Sequence, residues 1–333
     1  MWIVPACQYP FRLVLFLFLA IVCQNLMCQT TTDPVEDDDF GDFTFDEDPM
    51  MATGPIDPAF QPNASVPTPS LLSPAVIGGN PVKPHKYPFM VGLQMREGNY
   101  HFCGDSLITP MHVLTAAHCV VHEENYRKLS SPANLIHVGV GMHNRLPNSR
   151  NHYFDVKRIL VHHKYRGQSN GFLYDIALLT LGTSVRRRPS LKAGIIRLPA
   201  GPANDPPPQT AVRGIGWGLT KNITKNNPES DTPLLLMGAD FRVLTNRDCT
   251  RRALGSPIAA SQICIDSSNR AVCSGDSGGP LFRQLPSGQY ELVGLASYIM
   301  GQCQQRESAN VFTRVSHYKQ WIRTALAADS RQG

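Results

Sequence analysis

The chain lacks a hydrophobic run long enough to cross a bilayer. Its longest apolar stretch, Leu13–Val22, falls short of the roughly 20 residues that a membrane helix needs. With Arg12 as the only charge in residues 1–28, that region reads as a secretory signal cleaved after Cys23 or Cys28, though the small residues that usually mark such a site are scarce. No membrane span and an extracellular location are expected. Residues 29–75 lack Lys and Arg altogether. They carry ten acidic residues, including Glu36-Asp37-Asp38-Asp39 and Asp46-Glu47-Asp48, among Pro, Thr and Ser. Charge of one sign without apolar periodicity excludes a packed core and points to a disordered acidic propeptide, of which a solvated spacer is the plainest use.

Acidic residues are scarce in the remaining three quarters of the chain. Residues 76–333 hold thirty Lys and Arg against sixteen Asp and Glu, a net of +14 in a chain whose total is +5. A domain so basic attracts polyanions such as sulfated glycans, acidic granule matrices or nucleic acid, and the acidic segment is expected to mask part of that surface before processing. Arg186-Arg187-Arg188 and Arg251-Arg252 are candidate contacts, although short basic runs are ordinarily just solvated surface.

Of nine cysteines, Cys7, Cys23 and Cys28 fall in the signal region, leaving six, an even number that suits an oxidising compartment. Sequence alone leaves fifteen pairings open. A metal site on His118-Cys119-x-x-His122 is the competing use of this chemistry. The sequons Asn63-Ala64-Ser65 and Asn222-Ile223-Thr224 could carry glycans in a secreted protein.

What is present is a distinctive octapeptide, Cys273-Ser274-Gly275-Asp276-Ser277-Gly278-Gly279-Pro280. Glycine permits positive φ and close backbone approach, so the N–H groups of Gly275 and Ser277 can converge on one small anion. A hydroxyl beside two such donors suits acyl transfer, in which an alkoxide attacks a carbonyl and an oxyanion forms. A tight glycine turn is the bland alternative, so a base and an orienting acid are needed elsewhere. Thr115-Ala116-Ala117-His118-Cys119 offers an imidazole, and Asp175-Ile176-Ala177-Leu178-Leu179 a carboxylate heading an apolar run. Either alone would pass as a packing or loop residue.

Taken together, in the order His118, Asp175, Ser277, these motifs resemble the chymotrypsin-like serine proteases, and the resemblance runs from about Val76 to Ala327. It implies Ser277 as nucleophile, His118 as general base and then acid, Asp175 as the group that fixes the imidazole, and the amides of Gly275 and Ser277 as oxyanion hole. Val76-Ile77-Gly78-Gly79 resembles the N-terminus freed when such enzymes are activated, whose α-amino group pairs with the aspartate before the nucleophile, here Asp276. A zymogen cut between Ala75 and Val76 is implied. Ala75 stands where most relatives present Lys or Arg, so a trypsin-like activator is disfavoured. The implied disulfides are Cys103–Cys119, Cys249–Cys264 and Cys273–Cys303. A further bridge common in relatives is missing at both ends, where Val212 and Arg283 stand.

The same resemblance places Ala271 at the floor of the primary pocket. A floor without a carboxylate gives a Lys or Arg side chain no partner. Val272, Ala296, Ile299, Asn310 and Phe312 would line the pocket, with Ile299 and Asn310 where many relatives have glycine. A shallow, apolar, elastase-like pocket taking Ala or Val is expected. A chymotrypsin-like or narrower pocket stays open, because the loop before Cys303 is one residue longer than usual. Ser297 and Tyr298 would form the backbone rail beside the substrate, and Phe172 would shape the neighbouring subsite. The loop from Gly141 to Tyr153 has no Asp or Glu, so calcium is not expected there, and no cofactor or metal is implied.

The fold class expected is all-β. Short β-branched and aromatic runs (Phe89–Gln94, Ala211–Ile215, Leu292–Tyr298) alternate with turn residues, and Tyr318, Trp321, Ile322 and Ala325 come after a potential cap, Ser316, at helical spacing. The resemblance makes this two packed six-stranded antiparallel β-barrels with a C-terminal helix. Expected partners are protein or peptide substrates, polyanions and serpin-type inhibitors. A catalytically silent homologue that binds polyanions or proteins is the alternative function.

Overall fold

The computed structural model describes residues 76–124, 127–130, 132–146, 149–220, 232–252, 257–300, 303 and 308–332. The signal and propeptide assignments, Ala75 and both sequon asparagines lie outside these residues.

After a two-residue strand β1 (Asn80–Pro81), the chain forms β2 (Met90–Met95), β3 (His101–Thr109) and β4 (His112–Thr115). Next come a separate pair, β5 (Val121–Glu124) and β6 (Arg127–Ser130), and then β7 (Ile136–Val140), β8 (Tyr153–Val161) and β9 (Ala177–Leu181). Antiparallel pairing in the order β2-β3-β4-β9-β8-β7 closes a six-stranded barrel. The second half contains β10 (Ala211–Gly216), β11 (Met237–Arg242), helix α1 (Asn246–Arg252), β12 (Gln262–Asp266), β13 (Pro280–Gln284), β14 (Tyr290–Met300), β15 (Ala309–Arg314) and helix α2 (Lys319–Gln332). The expected six strands form one sheet, which β1 extends to seven in the order β1-β11-β10-β13-β14-β15-β12. A bridge between Val243 and Ile265 joins the β11 and β12 ends of that sheet.

Burial explains why several strands read as unbroken apolar runs and not as alternating ones. On β2, Val91 and Leu93 face the inside of the first barrel with Leu107, Val138 and Leu179. Met90, on the opposite face, joins Phe89, Leu114 and Leu178 in a second core with Trp217, Phe282, Leu295 and Trp321. Both faces of the strand are buried, so neither needs polar residues. The candidate site lies where the first barrel meets the second sheet.

Ser316 does not cap α2 as its position suggested. Its hydroxyl is buried with no hydrogen-bond partner among the described residues, and its backbone carbonyl accepts from Lys319 N at 3.4 Å instead. The helix is held by Trp321, Ile322 and Ala325, all buried, and by Asp329 near its end. The Asp329 carboxylate reaches three neighbouring strands of the first barrel. His112 Nε2 lies 2.9 Å from Oδ2, Thr180 Oγ1 donates to Oδ1 at 3.1 Å, and the Arg158 guanidinium also donates to Oδ1. Thr180 is the register partner of both His112 and Arg158, so the three groups stand in one row across β4, β9 and β8.

Where the missing bridge would lie, Val212 is buried, and Arg283 donates to Glu291 Oε1 at 2.6 and 2.9 Å and to the Asn204 carbonyl at 2.5 Å. Arg283 and Glu291 are register partners on β13 and β14, so an ion pair lies at one end of the absent disulfide.

Candidate active site

His118 sits on a 3-10 turn, Ala117–Cys119, three residues after β4 ends, and the Cys103–Cys119 disulfide ties that turn to β3. Asp175 is fully buried just before β9, which pairs with β4. Two bonds join them: His118 Nδ1 donates to Asp175 Oδ2 at 2.8 Å, and the His118 backbone N–H donates to Oδ1 at 2.9 Å. Burial pulls the His118 pKa down, but the charge and hydrogen bond of Asp175 more than offset this and leave it raised. The contact fixes the tautomer, leaving Nε2 free to take a proton.

Two residues behind this pair were not assigned these roles from sequence. Ser297 was expected only as backbone rail, yet its hydroxyl donates to Asp175 Oδ2 at 2.6 Å. Thr313 Oγ1 donates to the Asp175 carbonyl at 2.8 Å. The approach to Asp175 is strained as well, with Phe172 and Tyr174 at φ of 57° and 60°. Aromatic residues rarely occupy that region, and its cost is met by surrounding structure. Tyr174 N donates to the Tyr318 hydroxyl at 3.0 Å, and the Phe172 ring stacks on Tyr298 at 5.3 Å. Phe172 also lies edge-on to the His118 ring, with centroids 6.5 Å apart.

The octapeptide packs against the His118 turn. Gly104 N donates to the Ser277 carbonyl, and Gly278 N to the Ala296 carbonyl, both at 2.8 Å. Gly278, at φ +72°, lies so close to Thr115 that a Cβ there would stand 2.2 Å from the threonine hydroxyl. The nucleophile candidate is thereby brought beside the residues leading to His118, although no hydrogen bond joins the Ser277 hydroxyl to His118 among the described residues. Such contacts often tighten only with substrate bound. The amides of Gly275 and Ser277 donate to no acceptor among the described residues, which leaves them available to an anion.

His101 orients this loop and was not foreseen. Its Nε2 lies 3.1 Å from the Gly275 carbonyl, which can only accept, so that nitrogen carries the proton. Burial lowers its pKa to about 4, which keeps the ring neutral. The partners are 174 positions apart, and no local pattern announces them.

Asp276 is buried beneath the loop. Its oxygens accept from Gly218 N at 2.8 Å and Cys273 N at 2.9 Å. Burial pushes its pKa up to about 7, although both N–H bonds oppose the shift. Val76 is fully buried in the core on the second sheet, and Ile77 bridges to Ala271, whose N–H donates to the Ile77 carbonyl at 3.1 Å.

Of the expected pocket residues, Ala271, Val272, Ala296, Asn310 and Phe312 are buried, and Ile299 packs on the cluster of Ile77, Leu219, Ala271, Cys273 and Cys303. The Asn310 amide is spent on the Val272 backbone, accepting from its N–H and donating to its carbonyl at 3.2 Å each. Phe312 lies in the core on the second sheet with Val272 and Ala296. Ser274 is exposed.

The three disulfides are Cys103–Cys119, Cys249–Cys264 and Cys273–Cys303. Among the described residues, one grouping of metal-ligand type occurs, Cys103, His118 and Cys119. Its sulfurs are joined to each other and His118 Nδ1 holds Asp175, so neither thiolate nor that nitrogen is on offer. His122, the other member of the competing metal reading, has a side chain outside the described structure.

Comparison with known proteins agrees with this geometry. The trypsin family matches residues 76–322. The chain is 33% identical over 263 residues to chymotrypsin-like elastase family member 1 from Bos taurus, a match spanning 76% of this chain and 90% of that protein. It is 31% identical over 270 residues to a chymotrypsin-like serine proteinase from Haliotis rufescens, spanning 76% and 92%. Chymotrypsin-C from Bos taurus matches at 31% over 278 residues, spanning 81% and 92%. The chain belongs to the trypsin family and is a serine endopeptidase. No helix among the described residues is long and apolar enough to cross a membrane.

Proposed function

We propose that the protein is a secreted endopeptidase, made as a zymogen, that cleaves after small aliphatic residues through an acyl-enzyme. In this reading Ser277 attacks the substrate carbonyl, and His118 Nε2 takes its proton and later passes it to the leaving amine. Asp175 holds the imidazole and stabilises its charged form. The negative oxygen of the tetrahedral intermediate is received by the Gly275 and Ser277 amides, each worth about 3–4 kcal/mol in such a site. The observation that carries the reading is the two-point hold of Asp175 on His118 beside two amides that donate to no acceptor among the described residues.

The preference for Ala or Val rests on Ala271, which brings no charge, and on Ile299 and Asn310, which occupy space that glycine would leave open. Selection by one methylene is worth only about 1–3 kcal/mol, so the preference is graded. Residues 1–28 would direct secretion, residues 29–75 would be the propeptide, and cleavage at Ala75–Val76 would free an amine to pair with buried Asp276. Ala75 itself suits the pocket, so the enzyme would activate its own zymogen. Its partners would be peptide substrates, serpin-type inhibitors and, through the basic domain, sulfated glycans or other polyanions.

The test is a chain given a Val76 N-terminus through an engineered cleavage site and profiled on a peptide library. Cleavage after Ala or Val that disappears in Ser277→Ala is expected. Cleavage after another residue class would overturn the pocket and keep the mechanism. No turnover with a verified Val76 terminus would overturn both and favour a silent, binding role.

A further inference from the structure

The positive charge of the protein is concentrated in one part of the fold. Residues 125–204 hold thirteen Lys and Arg against two acids, Asp155 and Asp175, which accounts for +11 of the +14 carried by residues 76–333. Asp175 is buried against His118, so Asp155 is the one carboxylate this stretch shows to solvent.

The fold winds much of this stretch into β7, β8 and β9, one wall of the first barrel. The pleat of β8 sends Phe154 and Val156 inward and Tyr153, Asp155 and Lys157 outward. The turn after β9 is fastened to the same wall. Arg188 donates to the carbonyls of Asn151 and Tyr153 at 2.8 Å each, and its guanidinium lies 4.2 Å over the Phe154 ring. That clamp occupies Arg188 but leaves Arg186 and Arg187 exposed beside the turn that carries Arg150. Arg150, Lys157, Arg186 and Arg187 have no side-chain partner among the described residues. A cavity of about 320 Å³ opens between Arg96, Asn99, His137, Arg150, Tyr153 and Asp155, with Arg96 paired to Asp155 at 2.7 Å.

We propose that this wall, formed by Arg150, Lys157, Arg186 and Arg187 around the Arg96–Asp155 cavity, is a binding site for a sulfated glycan chain. The assignment rests on the proposed attraction of the basic domain to polyanions and gives it a place. Guanidinium groups take sulfate oxygens in pairs, and cations spread along a surface suit a linear polyanion. Nucleic acid is the poorer fit, because single strands need free aromatic faces for their bases. Here Tyr153 is already stacked on His137 at 4.2 Å, and Phe154 is covered by Arg188. The turn bearing Arg186 and Arg187 lies past the end of β9 remote from Asp175, about 17 Å away for a strand of this length. A bound chain would hold the enzyme by its flank.

The test uses the full chain in a Ser277→Ala background, before and after cleavage at Ala75–Val76, titrated with fluorescent heparin from about 0.05 to 0.2 M NaCl, the range over which such binding changes most. R150A/R186A/R187A should weaken binding about tenfold or more and flatten the dependence on log salt by about two to three. R242A/R270A, exposed cations in the second half of the fold, should stay within about twofold of the unsubstituted chain. Equal losses in both variants would overturn the placement while leaving polyanion binding intact. No salt-dependent binding by the unsubstituted chain would overturn the underlying reading. Single-stranded DNA of matched charge competing better than heparin would overturn the choice of sulfated glycan. All of the substituted arginines are exposed, and unchanged thermal unfolding verifies each variant.

Discussion

Asp175 and Asp276 are both buried, one attached to each half of the molecule, and they are supplied with donors differently. The Asp175 carboxylate collects two bonds from His118 and one from Ser297. Asp276 receives one N–H on each oxygen, and its surroundings are shaped by what is missing. A Cβ on Gly216 or Gly218 would come within 2.0 or 2.5 Å of its carboxyl atoms. Asp105, inside the first barrel, goes further still. Its oxygens are buried with no hydrogen-bond partner among the described residues, and burial holds its pKa well above the usual carboxylate range. The series teaches that equally buried carboxyl groups can be supplied with very different numbers of donors. Asp175 has three, Asp276 has two and a pKa pushed up to about 7, and burial raises Asp105 well above the ordinary carboxylate range.

The largest effect should come from replacing the best-supplied member. Asp175→Asn keeps the shape and loses the tautomer control, so kcat/KM on a peptide substrate should fall on the order of ten-thousandfold. A loss below about tenfold would break the contrast, since Asp175 would then be one more buried polar group.

Asp276 comes next, read in the uncut chain. Its folded pKa near 7 exceeds the ordinary 3.8, so the folded state holds its proton longer than the unfolded state. Stability should therefore fall as pH rises from about 4 to about 7, then level off, a change of roughly 4 kcal/mol at most. Urea unfolding across that window should show the decline, and Asp276→Asn should remove it. After cleavage the decline should shrink if the freed Val76 amine pairs with Asp276 as proposed. A decline that is identical in cut and uncut chains would separate Asp276 from activation.

Asp105 comes last. Burial raises its pKa too, so its contribution carries the same sign: it is fully present below the ordinary 3.8 and is lost as pH rises through the folded value. Asp105→Asn should remove that part of the slope in urea unfolding. An unchanged slope would show that water or a cation reaches Asp105.

These relations were legible in the sequence to different degrees. The octapeptide, the His118 turn and the Asp175 run each announce themselves locally, because glycine, small residues and an apolar strand are needed on the spot. The strands could be read approximately, since turn residues bound them. His101 with Gly275, Ser297 with Asp175, and Arg283 with Glu291 could not be read that way, because barrel closure and strand register create those pairs. Asp105 looks like any strand aspartate until the barrel closes around it. Ser316 misled for a related reason: its spacing suits a cap, but the tertiary turn before α2 directs its hydroxyl into the core.

The Asp329 cluster has a consequence for the order of events during synthesis. Every strand of the first barrel has been made once Leu181 is joined to the chain. His112, Arg158 and Thr180 must then wait, side by side on the barrel wall, for a carboxylate added nearly half a chain later. Domains tend to form as they emerge from the ribosome. The first barrel can close early, but its outer wall receives its last partner only when α2 folds back across it. The far end of the sequence thus completes the half of the molecule that is made first.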